Sequence, residues 1–276
     1  MTRSELIQLI RDRGSYLCVG LDTDLSRIPA HLQDEEDPIF AFNKEIIDAT
    51  RDLCVSYKLN TAFYECYGVE GWRALERTVS YIGPGHFLIA DAKRGDIGNT
   101  STQYAKAFFE RLAFDSVTVA PYMGEDSVRP FLEFPGKWAI VLGLTSNSGA
   151  SDFELQDVGG ELLYERVLRT VSGWGTPDNL MFVVGATQTQ AFARVRALVP
   201  DHFLLVPGVG AQGGSLAAIS EHAATGDVGL LVNVSRDILY ADAGRGFASA
   251  ARARALSYQQ EMQPYVDKIL QVKNIG

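Results

Sequence analysis

A chain of 276 residues that is 46% hydrophobic and 21% charged has the make-up of a folded globular protein, not of a disordered or fibrous one. Its net charge of -9 argues against a broad electrostatic grip on nucleic acid, which needs a basic surface, and favours small partners. Three cysteines without a C-x-x-C pair point to a reducing compartment rather than a disulfide framework, and four histidines off ligand spacing argue against zinc, so no metal is expected.

In chain order, MTRSELIQLIRDRG reads as an amphipathic N-terminal helix without the apolar core of a signal peptide. No stretch approaches the roughly 20 apolar residues of a membrane span, so a cytoplasmic protein without membrane contact is expected. Eight short apolar runs follow: YLCVGLD (16–22), VSYKLNTAFY (55–64), HFLIADAK (86–93), SVTVAPY (116–122), WAIVLGLT (138–145), LMFVVGAT (180–187), HFLLVPGV (202–209) and GLLVNVSR (229–236). Segments with helical periodicity lie between them, at 100–114, 160–174, 189–199 and 214–223 among others. The acidic run from Asp34 to Asp37 reads as a solvated surface segment, Tyr57, Phe63, Tyr64 and Tyr67 as packing, and 146–160 as a strand-to-helix loop. Cys18, Cys54 and Cys66 read as free thiols packed as small hydrophobes.

Runs that are apolar on both faces are what a parallel sheet covered by helices requires. Eight strand-helix units in one chain predict an α/β fold and fit a closed (β/α)8 TIM barrel, a single domain over 1–276, better than an open doubly wound sheet with its usual five or six strands. Polar residues gather at the C-terminal ends of the runs: Asp22 and Asp24, Lys58 and Asn60, then Asp91 and Lys93. Thr145 and Ser146, Gln212, and Ser235 and Arg236 do the same further on. Active sites of barrel enzymes sit at that face.

The densest cluster is IADAKRGDIGNT (89–100), which sets two acids and two bases at the end of an apolar strand. Desolvating charge is costly and buried ion pairs add little net stability, so stability alone does not account for it. Residues two apart on a strand share a face, which puts Asp91 and Lys93 together, with Lys58 on the neighbouring strand, and turns Arg94 elsewhere. The direction of Asp96, in the turn beyond, does not follow from spacing. A lysine between carboxylates keeps its proton, and so becomes both a proton donor and a cation for developing negative charge. A solvated cluster at a strand end is the plainer alternative. The stretch PGVGAQGGS (207–215) carries Gly208-x-Gly210-x-x-Gly213, a weak signal that suits a dinucleotide, a phosphate or a tight turn. A dinucleotide fold wants an acid closing the next strand, whereas Ser235 and Arg236 close it here, which favours a phosphate monoester.

With Asp91-x-Lys93-x-x-Asp96-Ile97-x-x-Thr100, Lys58, Asp22 and PGVGAQGG followed by an arginine strand, the chain resembles the orotidine 5'-phosphate decarboxylase family, in its longer sequence class. The resemblance implies loss of the C6 carboxylate of orotidine 5'-monophosphate to give UMP, in pyrimidine synthesis, with no metal or organic cofactor. It implies that Lys58, Asp91, Lys93 and Asp96 form an alternating charge network in which Lys93 stabilises and protonates the C6 carbanion. Asp96, Ile97 and Thr100 would reach into the partner's site of a homodimer. Asp22 and Lys58 would meet the ribose, Ser146 the pyrimidine, and Gln212, Gly213 and Arg236 the phosphate, with 210–216 closing as a lid. Leu144, Ser148 and Asp237 depart from the family pattern, and Asp237 either weakens the phosphate contact or points away. Two other readings compete: another phosphate-binding barrel lyase or isomerase, and a non-catalytic binding protein for a nucleotide or sugar phosphate.

Overall fold

The computed structural model describes residues 1–210 and 213–271. Eight strands, β1 (Leu17–Gly20), β2 (Ser56–Asn60), β3 (Phe87–Arg94), β4 (Ser116–Val119), β5 (Trp138–Leu144), β6 (Leu180–Val184), β7 (Phe203–Pro207) and β8 (Leu230–Val234), form one closed barrel in sequence order. Each pairs parallel with the next, and β8 returns to β1 through Leu17 opposite Val232. Every residue of β1, β4, β6 and β8 is buried, as expected of strands with side chains on one face filling the barrel and those on the other packed under helices. The resulting core includes Trp138 set edge-on to Phe87, with ring centroids 5.9 Å apart.

The helices lie outside, from Arg3–Arg13 to the long C-terminal Phe247–Gln271. The first is capped by Thr2 and Glu5, which satisfy each other's backbone N–H groups, and ended by Gly14 in the left-handed region. It is tied to the loops that lead into the strands. The Met1 ammonium meets Asp115 Oδ1 at 2.6 Å before β4, and Arg3 donates to Pro177 O and Asp201 O, each at 2.8 Å, before β6 and β7. That closes the N-terminal end of the barrel and leaves the strand C-termini for a site. No described helix is long and apolar enough to cross a membrane.

Three boundaries differ from the sequence reading. The run 55–64 stops as strand at Asn60, because Asn60 Oδ1 accepts from Ala62 N at 3.1 Å and starts the helical turn Ala62–Glu65. The helix expected over 100–114 begins at Gly98 and ends in a π-helical turn, Ala107–Arg111. Within 146–160, Ser148–Asp152 form a 3-10 turn. Two surface assignments also change. Asp37 caps the helix Pro38–Thr50 through Phe40 N (3.0 Å) and pairs with Arg77 (3.0 Å), so the acidic run is more than solvated surface. Cys18 and Cys54 are buried, with burial pushing both thiols up to about 12, but Cys66 is exposed.

Candidate active site

The end of β3 carries the charge. Its pairing with β4 shifts register between Ala90 and Arg94, and Lys93 sits at φ +46°, a conformation that L-residues with side chains rarely adopt. Thr118 of β4 fastens this bulge: its Oγ1 accepts from Lys93 N at 2.9 Å and donates to Asp91 Oδ1 at 3.0 Å. Lys93 Nζ then reaches the same Asp91 oxygen at 2.7 Å. Asp91 and Lys93 therefore meet as expected, through a bulge instead of regular alternation.

Lys58 of β2 completes the chain of charges, 3.0 Å from both Asp91 Oδ2 and Asp22 Oδ1. Its ammonium is almost wholly buried, and burial alone would drive it neutral. Asp22 and Asp91 outweigh that cost, so its pKa is raised. For Asp91 burial likewise opposes ionisation, and Lys58 and Lys93 with their hydrogen bonds hold the carboxyl well below the usual range. Lys93 differs from its neighbours in being about half exposed, at 49% of its side-chain surface. A buried polar cluster steadies this wall from behind. Thr23 Oγ1 donates to Asn43 Oδ1 (2.5 Å), Asn43 Nδ2 donates to Tyr64 OH (3.0 Å), and Tyr64 OH donates to Leu21 O beside Asp22 (2.9 Å).

Asp22, Lys58, Asp91 and Lys93 line one side of a cavity of about 690 Å³ at the strand C-termini, within the range of small-molecule sites. Leu142, Val183 and Leu205, from β5 to β7, give it an apolar side. Ser146 lines it too, brought close to β6 by Gly185, where a Cβ would lie 2.7 Å from Ser146 Cβ. Gly208 (φ +103°), Arg236 and Asp237 close a third side. Asp237 is engaged by Tyr258 OH at 2.7 Å and by Arg254.

Chain comparison decides the family. The model of the orotidine 5'-phosphate decarboxylase / HUMPS family matches residues 15–251. The chain belongs to that family. It is 56% identical over 274 residues to the orotidine 5'-phosphate decarboxylase of Bacteroides fragilis, covering 98% of this chain and all of the other. It is 58% identical over 270 residues to that of Flavobacterium johnsoniae, covering 97% and 99%. Among solved structures, Leishmania donovani OMP decarboxylase superposes with a TM-score of 0.82 at 35% identity, covering 96% of this chain and 99% of that one.

Of the residues expected in an orotidine 5'-phosphate decarboxylase site, Asp22, Lys58, Asp91, Lys93, Ser146 and Arg236 share the cavity. Gly213 stands outside its lining, and Gln212 lies outside the described residues. Asp96, Ile97 and Thr100 do not line this chain's own cavity. Asp96 Oδ1 accepts from Ile97 N (2.7 Å), and Ile97 is 56% exposed. Arg94 turns away, to Glu65 and the faces of Tyr104 and Phe108. Leu144 is fully buried.

Sequence reading missed Thr118, Asn233, Arg27 and Tyr240, and took Phe63 for packing although it also lines the cavity. A threonine alternating with valines in SVTV was a visible signal for Thr118. Nothing local marked the others. Among the described residues, no three His, Cys, Asp or Glu side chains gather as a metal site would need.

Proposed function

We propose that this chain is a cytoplasmic, homodimeric carboxy-lyase that converts orotidine 5'-monophosphate to UMP and carbon dioxide. One observation carries the chemistry: a half-exposed ammonium, Lys93 Nζ, lies 2.7 Å from a carboxylate that two lysines keep ionised. In the reaction the bond from C6 to the carboxylate breaks and its electron pair stays on C6. Lys93 stabilises that pair and transfers a proton to C6, and solvent restores the ammonium. A carbanion on a pyrimidine has no electron sink of the kind a cofactor supplies, so a preorganised cation is the available stabiliser. The reaction so written calls for no metal or organic cofactor.

In this reading Asp91 lies beside the departing carboxylate, and their repulsion falls as carbon dioxide leaves. Asp22 and Lys58 hold the ribose, Ser146 the pyrimidine, and Arg236 with Gly213 and Gln212 the phosphate. Leu142, Val183 and Leu205 suit the flat face of the ring. Asp96, Ile97 and Thr100 serve the partner's site. The exposure of Ile97 together with Tyr122 (90%) and Met123 (49%), on the loops after β3 and β4, supports a subunit contact there.

A continuous ultraviolet assay with orotidine 5'-monophosphate and a chelator tests the proposal. Rapid conversion is expected, with Lys93→Ala slower by a factor on the order of a thousand or more. Wild-type protein that binds the nucleotide without converting it overturns the reading in favour of a binding protein.

A further inference from the structure

The cavity holds a second arginine to which the proposed reaction assigns no task. Arg27 belongs to the 3-10 turn Leu25–Arg27 after β1, and it lines the same cavity as Arg236 and Gly208. Its guanidinium lies over the ring of Tyr240, 3.7 Å from the centroid. Tyr240 is itself fixed. Its OH accepts from Asp24 N at 2.8 Å and donates to Asp22 O at 3.3 Å, and its ring stacks on Phe42 with centroids 6.1 Å apart. Tyr240 also lies four residues after Arg236 in the segment that follows β8. The platform under Arg27 is therefore rooted in the same piece of chain that carries the other arginine.

Both guanidiniums have donors to spare. Among the described residues, no carboxylate lies within ion-pair distance of Arg27 or Arg236. The acids that share this part of the cavity are occupied. Asp24 Oδ1 takes the N–H and hydroxyl of Ser26, at 2.9 and 2.7 Å, and Asp237 takes Arg254 and Tyr258. Asp237, which departs from the family pattern, thus does not cancel Arg236. Two planar cations with open donors suit a dianion better than a single negative charge.

We infer that Arg27, held on Tyr240, is a second arm of the phosphate subsite and grips the 5'-phosphate together with Arg236. This rests on the nucleotide reading above. Stacking on the ring fixes the plane of the guanidinium before ligand arrives, so little side-chain freedom remains to be lost on binding.

The test is calorimetric binding of UMP and of uridine to the full chain, compared among wild type, Arg27→Ala and Arg27→Lys. Arg27→Ala should weaken UMP about tenfold and uridine by less than about twofold. Arg27→Lys, which keeps the charge and loses the planar donors, should fall between. Equal weakening of both ligands, or unchanged UMP affinity, overturns the inference, because an arginine that merely packs on Tyr240 does not distinguish a nucleotide from its nucleoside. Wild type that binds UMP no tighter than uridine overturns it as well. If wild type binds UMP tightly but fails to decarboxylate orotidine 5'-monophosphate, the proposed reaction falls while the role of Arg27 stands on the binding data.

Discussion

At the end of β3 the barrel buries a carboxylate and an ammonium and gives each its partners, whereas at the start of β7 it buries an imidazole and gives its ring nitrogens none. Asp91 receives Lys58, Lys93 and Thr118. His202, just before β7, packs its ring edge-on to Phe182 at 5.4 Å, and neither Nδ1 nor Nε2 has a hydrogen-bond partner among the described residues. Arg196 donates to His202 O at 2.6 Å and Arg3 lies over Phe203, and together these cations outweigh the neighbouring Asp201. Burial first, and then Arg3 and Arg196, pushes the imidazole down to about 4. Both sites are buried, so burial alone does not decide ionisation. Countercharge does: where it is supplied the group stays charged and can act, and where it is withheld the group stays neutral and only fills space.

Removing the countercharge at β3 is the largest way to break this contrast. Lys58→Met keeps the volume and leaves Asp91 and Asp22 facing one another with Lys93 alone. Stripping one partner from a buried pair costs about 3–5 kcal/mol. Urea unfolding at neutral pH should show a loss of that order, with activity abolished. Adding Asp91→Asn should restore part of the stability and none of the turnover. A loss below about 1 kcal/mol for the single variant would mean that the network is solvated and that the likeness to a surface ion pair is the better one.

The sequence was legible wherever a physical cost had to be visible in it. Parallel strands covered on both faces leave continuous apolar runs, so the barrel could be read from eight of them. Charge at the end of such a run is expensive, which singled out Lys58, Asp91 and Lys93. Direction was legible only inside regular strands. In the turns after β3 no period applies, and the place of Asp96 did not follow from spacing. Arg27 and Tyr240 come from opposite ends of the chain, and only closure of β8 onto β1 brings them together. Phe63 read as packing because an aromatic that lines a cavity and one that fills a core look alike in one dimension.

His202 should express the other half of the contrast as acid sensitivity. Its folded pKa of about 4 lies below the ordinary 6.5, so the unfolded chain takes up a proton through this window before the folded one does. Stability therefore falls as pH drops from about 6.5 to about 4, by about 3 kcal/mol for the full gap. Asp91 acts lower. Its depressed pKa gives stability that is present above about 3.9 and lost only as pH falls further. Urea midpoints measured between pH 7 and pH 4 should be flatter for His202→Leu than for wild type. Parallel slopes would show that His202 finds a partner once protonated, and would end the contrast with Asp91.

Thr118→Val is the finest probe, because it changes one hydroxyl for a methyl and leaves every charge in place. The hydroxyl is not among the groups that line the cavity, and both of its partners belong to β3. What it does is join the Lys93 backbone to the Asp91 carboxylate across the bulge. Without it the Lys93 N–H is left unmet and the φ of +46° loses its brace, at a cost of about 1–2 kcal/mol. If the bulge aims Lys93, kcat should fall about tenfold, the equivalent of about 1.4 kcal/mol in the barrier, with KM within about twofold. Thr118→Ser should recover most of it. A stability loss without a fall in kcat would make Thr118 a strand fastener only, and the aim of Lys93 would then have to come from Asp91 itself.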